Sequence, residues 1–162
     1  MSVRFVTAER DRSLAWRAGT LGVMVVLIWL ASIASFVLPL GLPGAFGIIP
    51  RTTDGLAGII VAPLIHGSLQ HLVSNTIPLV LLGSLILLRG VNEFLIVLQI
   101  SILVAGAGTW LFGSGGQHIG ASGVVFGFTG FLLFRTVYDR RLTTGLITII
   151  VLASYGGVLT TS

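Results

Sequence analysis

The chain has 162 residues, of which 54% are hydrophobic and only 9% charged, and its mean hydropathy is +1.05. Soluble domains carry roughly 25% charged residues, so this composition excludes a soluble globule and indicates an integral membrane protein. There are no cysteines, which excludes disulfides and thiolate metal sites; the sequence pI of about 11.2 comes from scattered arginines between apolar runs, which read as topology signals and anionic-lipid contacts rather than a nucleic-acid surface.

Residues 1–18 read as a basic cytoplasmic tail. Arg4, Arg10, Arg12 and Arg17 mix there with Phe5, Val6, Leu14 and Trp16. Both an interfacial helix and a solvated tail fit this mixture. The first apolar run, Gly19 to Leu38, is too long for a signal-peptide h-region of about 7–15 residues. A spanning helix needs about 20 apolar residues, and five runs qualify: Gly19–Leu38, Leu69–Leu88, Phe94–Phe112, Gly120–Tyr138 and Leu142–Val158. The expected fold is an all-α polytopic transmembrane helical bundle.

Cytoplasmic loops favour arginine and lysine. Arg89, Arg135, Arg140 and Arg141 fall on the side of the basic tail, and Arg51 alone falls opposite. The N-terminus is therefore expected in the cytoplasm. Between the first two runs lies a long apolar stretch, about Pro39 to Ile65, rich in glycine and proline. It is too greasy to float in water, and irregular backbone exposed to lipid leaves polar groups unsatisfied. It is expected half-sunk in the outer leaflet against the bundle, with Thr53-Asp54-Gly55 as turn and cap. The later connection Gly113-Ser114-Gly115-Gly116-Gln117-His118 reads as polar and flexible, a route for water.

Polar side chains within apolar spans are costly and mark function. Asn75 lies 14 residues before Arg89, and Ser122 lies 13 before Arg135. At about 1.5 Å per residue both sit roughly 20 Å above the inner boundary. His71 is one turn nearer the outside and shares a face with Asn75, since residues four apart are helical neighbours. A serine hydroxyl can attack a carbonyl once a base takes its proton. Neutral His and Asn offer N–H donors that can hold an oxyanion. Taken singly, each group reads as helix packing: Gly116/Gly120 and Gly123/Gly127 have small-xxx-small spacing, and His71 and Asn75 can simply bond neighbouring helices. Their agreement in depth favours catalysis.

At these residues the sequence resembles the rhomboid family of intramembrane serine proteases. The carrying motifs are His66-Gly67-Ser68-Leu69-Gln70-His71-Leu72-Val73-Ser74-Asn75 and Gly120-Ala121-Ser122-Gly123, in the family's order, across about residues 19–158. The resemblance implies a rhomboid-like domain over residues 19–162 with five of the usual six helices and a membrane-embedded first outer loop. It implies Ser122 as nucleophile, His71 and Asn75 as oxyanion-hole donors with the Ser122 backbone N–H, and His66 orienting the outer loop. The substrates would be single-span membrane proteins cut near the outer face, with no metal or cofactor. It places the chain in a bacterial plasma membrane.

The family's base is a histidine on the sixth helix, whereas His66, His71 and His118 all precede Ser122. The sequence therefore reads as incomplete at its C-terminus, with little or no activity as it stands. A catalytically dead rhomboid-like protein that binds client transmembrane helices is the alternative. A transporter or channel fragment is the third reading, disfavoured because the polar groups gather near one side.

Overall fold

A computed structural model describes residues 2–38, 41–139, 145–151, 153 and 154, with residues 2–13 as backbone only. The fifth run, expected at Leu142–Val158, lies partly outside these residues; 145–151, 153 and 154 are helical. Pro39, Leu40, Arg140 and Arg141, and the side chains of Arg4, Arg10 and Arg12, also lie outside them.

Every described element is helical. Helix α1 is Ser2–Val37, so the backbone passes from the basic tail into the first span without a break. Its 36 residues extend about 54 Å, well beyond a hydrocarbon core of about 30 Å. Four short helical turns follow, α2 at Leu42–Phe46, a 3-10 turn at Asp54–Leu56, α3 at Gly58–Val61 and a 3-10 turn at Ala62–Leu64. Then come α4, Leu69–Leu87, α5, Val91–Phe112, and α6, Ser122–Asp139. Among the described residues three helical stretches are long and apolar enough to cross a membrane: Leu14–Val37, Leu69–Leu87 and Val91–Phe112. Helix α6 is apolar but shorter; its 18 residues reach about 27 Å. The protein is thus an all-α, multi-pass membrane protein.

Helix α6 packs on both α4 and α5, and α1 packs on α4. The core runs along these contacts through Leu21, Leu72, Leu82, Phe94, Val125 and Phe128. Phe94 and Phe128 meet edge to face with ring centroids 5.7 Å apart, a favoured aromatic geometry. Small residues set the helix spacing. A methyl on Gly127 would collide with Ser101 of α5, and one on Gly123 would lie 2.9 Å from the Ala105 Cβ. The packing reading of Gly123/Gly127 therefore holds. Gly116 differs: nothing lies within 4 Å of the place its Cβ would occupy, so it shares no helix contact with Gly120.

At the end of the bundle marked by Arg89, the Arg17 Nη1 donates to the Leu88 carbonyl at 3.2 Å, and Arg89 pairs with Glu93 at 2.8 Å. At the other end the first loop is stitched to the bundle. Ile48 and His118 exchange two backbone hydrogen bonds of 2.8 and 2.9 Å. The Trp110 indole donates to the Thr52 carbonyl at 2.8 Å, and the Gln117 amide donates to the Gly44 carbonyl at 3.0 Å. The loop 113–118 expected to be flexible is thus tied down by the segment it faces, because both irregular strands of backbone need hydrogen-bond partners where water is scarce. The turn at 52–55 also differs in its cap. Thr52, rather than Thr53 or Asp54, supplies the side-chain oxygen that accepts from Gly55 N–H at 3.1 Å.

Arg51 anchors this stitching. Its N–H donates to the Trp110 carbonyl at 3.0 Å, and its Nη1 donates to the Leu111 and Gly113 carbonyls at 3.1 Å each. These carbonyls lie at the C-terminal end of α5, where a helix leaves acceptors unused and favours positive charge. Arg51 holds φ +58°, a left-handed conformation that costs a non-glycine residue about 1–2 kcal/mol. Two opposed effects can therefore be separated. Arg51→Ala loses the side-chain bonds and keeps the strain, whereas Arg51→Gly loses the bonds and relieves it. In detergent, both variants are expected to melt below the parent and to cleave faster within 41–65 under limited proteolysis, with Arg51→Gly the more stable by about 1 kcal/mol. Equal melting of parent and Arg51→Ala would show that the arginine carries no structural weight.

Candidate active site

The site is assembled at the N-terminal ends of two helices. Ser68 begins α4 in an extended conformation and its Oγ accepts the His71 N–H at 3.1 Å, an N-cap that holds the first turn in register. This sets His71 and Asn75 on one face, both buried, at 7% and 1% exposure. Helix α6 begins at Ser122. Its first intrahelical bond in the chain joins Val125 N–H to the Ala121 carbonyl at 3.0 Å. By helix geometry the N–H groups of Ser122, Gly123 and Val124 have no intrahelical partner, and the positive end of the helix dipole coincides with them.

Gly120 makes the junction of the two helices possible. It holds φ +103°, and a Cβ built there would lie 2.5 Å from His71 Nε2 and 2.7 Å from Cε1. The imidazole of His71 therefore rests directly against the backbone that leads into Ser122. Its neighbour Ser122 is half-buried. A cavity of about 420 Å³ opens over both, with Gln117, His118, Gly120 and Gly123 also in its walls. Larger apolar grooves flank the bundle among the described residues, between α1 and α5, along α5 and α6 and between α1 and α4.

The remaining candidates are placed differently. Asn75 is not in the wall of the Ser122 cavity. Its Nδ2 donates to the His71 carbonyl at 2.9 Å within its own helix, and its Oδ1 is buried without a hydrogen-bond partner. An unmet buried acceptor costs about 1–3 kcal/mol, so the amide sits in a position of tension. His66 lies in the loop before α4, fully buried, edge-on to His71 with ring centroids 4.9 Å apart. Its Nε2 accepts the Ala121 N–H at 3.3 Å, and its Nδ1 lies 3.0 Å from Ser32 Oγ of α1. His118 turns to the Ser114 carbonyl, 3.1 Å from its Nε2. Sequence reasoning passed over Ser32, one of two serines in the first apolar run, and the Ala62 carbonyl that accepts Gly120 N–H at 2.9 Å. Neither carries a local sequence signal.

Burial, and then the charge of neighbouring His71, pull His66 from its ordinary value of 6.5 down to about 4. Below pH 6.5 an unfolded chain takes up this proton while the folded chain resists it. Folded stability is thus fully present above 6.5 and falls as pH drops toward 4. The melting temperature in detergent is expected to fall on the order of 5 °C across that window, and a His66→Gln variant should show a flatter profile. An identical slope in the variant would remove His66 as the cause.

A second outcome concerns Gly120. Gly120→Ala combines left-handed strain with a collision against His71 and is expected to lose about 2 kcal/mol or more in thermal unfolding. Gly115→Ala, where nothing lies within 4 Å, is the control and should melt with the parent.

A family model described as Rhomboid domain matches residues 53–161. Uncharacterized proteins of Mycobacterium bovis and Mycobacterium tuberculosis are each 44% identical over 119 residues, covering 70% of this chain and 50% of theirs. An uncharacterized protein of Mycobacterium leprae is 39% identical over 159 residues, covering 93% of this chain and 62% of its own length. The chain thus spans about half to three-fifths of the length of these curated relatives. No solved structure matches it.

Proposed function

The chain belongs to the rhomboid family, and on that footing we propose that it forms the membrane core of an intramembrane serine endopeptidase cleaving single-span membrane proteins near the outer face. The observation that carries this reading is the meeting of Ser122 and His71, from separate helices, in the wall of one cavity. Mycobacterial relatives support a bacterial membrane; in this reading residues 1–18 lie on the cytoplasmic side and 19–162 form the rhomboid-like domain. The first loop, with its short helical turns, would be the family's membrane-embedded outer loop.

In this reading Ser122 Oγ attacks the scissile carbonyl and its proton passes to a base. The carbonyl oxygen becomes an oxyanion beside the free Ser122 N–H, the positive end of α6 and the imidazole of His71. Donors aimed at that charge lower the barrier by a few kcal/mol each. Asn75 would join them after its amide leaves the His71 carbonyl. The C–N bond then breaks, the base returns its proton to the leaving amine, and water hydrolyses the acyl-enzyme. Within the described residues His66 Nε2 is held by Ala121 N–H and His118 Nε2 faces a carbonyl, which leaves neither poised as the base. The resemblance assigns that role to a histidine on a sixth helix.

The engagement of His66 and His118 favours a second reading, a protein that holds client transmembrane helices without cutting them. The two separate experimentally. The protein in its full-length form is to be reconstituted with single-span reporter proteins and treated with a fluorophosphonate. Cleavage and labelling that both vanish in Ser122→Ala support the protease. Asn75→Ala should lower kcat by about tenfold to a thousandfold. Reporter capture without cleavage or labelling supports the client-binding protein, and cleavage that persists in Ser122→Ala refutes the nucleophile.

A further inference from the structure

The route from α1 to the serine lies in four hydrogen-bonding groups whose roles are all dictated. A backbone N–H can only donate, so Ala121 N–H must donate to His66 Nε2, 3.3 Å away. Nε2 is therefore bare. A neutral imidazole has one N–H, and it must be on Nδ1, which donates to Ser32 Oγ at 3.0 Å. The Ser32 hydroxyl, having accepted, donates its own hydrogen to the Leu64 carbonyl at 3.1 Å. Ser32 and His66 are both wholly buried. Adding a proton to His66 would set N–H against the Ala121 N–H. Among the described residues the titratable group that faces His66 is His71, on α4.

We propose that Ser32 is a positioning residue: by accepting from His66 Nδ1 it selects the histidine form that receives the Ala121 N–H, and so sets the backbone leading into Ser122. This deepens the reading of Ser122 as nucleophile and rests on it. The argument turns on what happens when Oγ is removed. Nδ1–H is then buried without an acceptor, which costs free energy. The available repair moves the proton to Nε2, and that evicts Ala121 N–H. A change in the first helix is thereby felt one residue before the serine, on α6. A hydroxyl that merely filled space would have no such effect.

The test reads protonation and hydrogen bonding directly and needs no turnover. Protein with ¹⁵N-labelled histidine is studied by NMR in detergent micelles at neutral pH, alongside Ser32→Ala and Ser32→Thr. In the parent, His66 is expected with Nδ1 protonated and Nε2 bare. In Ser32→Ala that single form should be lost, and the Ala121 amide should exchange with solvent about tenfold faster or more, while amides in the middle of α4 and α5 keep parental rates. Ser32→Thr, which keeps the hydroxyl, should restore both signals. A parent His66 protonated on Nε2 overturns the proposal without any variant. So does a Ser32→Ala protein that keeps the Nδ1–H form or the parental Ala121 exchange. These results stand apart from the fluorophosphonate experiment: failure of labelling at Ser122 would remove the catalytic meaning of the link but leave the link itself measured.

Discussion

Two backbone N–H groups ahead of α6 need acceptors inside an apolar bundle, and the chain supplies both from the end of its first loop. Gly120 N–H takes the Ala62 carbonyl and Ala121 N–H takes His66 Nε2. Irregular backbone at membrane depth is tolerated only where protein or a wet cavity satisfies it. The approach to Ser122 is irregular backbone of this kind, so the position of the serine depends on the position of the loop end. That dependence explains why the loop is held at so many points, through Ile48, Arg51, Thr52 and Gly44.

The helices below serve this junction through small residues. Gly127 against Ser101 and Gly123 against Ala105 bring α6 close to α5, and Phe128 locks against Phe94. With no hydrophobic drive between helices in lipid, close packing and hydrogen bonds carry association. Gly120 does the same work at shorter range, leaving space for the His71 ring beside the serine. The cavity over Ser122 is a product of these approaches and of the loop above it.

Much of this was legible beforehand. The long apolar runs are visible in composition, and α1, α4, α5 and α6 fall where the runs lie, because hydrocarbon thickness sets helix length. Boundaries moved where a local feature overrode apolarity: α5 starts at Val91, after Gly90 at φ +141°, and α6 starts at Ser122 rather than Gly120, whose left-handed φ ends the preceding loop. The apolar loop after α1 read correctly as a segment in need of partners, but its short helical turns did not announce themselves, and the glycine-rich loop at 113–118 looked free because its partners lie some seventy residues earlier.

What the residues alone determined is the membrane-helical class and the family, with a common depth for Ser122, His71 and Asn75 as an expectation. Each follows from short-range quantities: apolar run length, motif spacing and rise per residue. What tertiary structure decided is which partner each polar atom takes. Asn75 bonds its own helix and His66 bridges α1 to the backbone just ahead of α6, neither of which any local pattern encodes. Buried polar atoms choose among whatever groups folding brings within about 3 Å, and that set exists only after distant segments have packed.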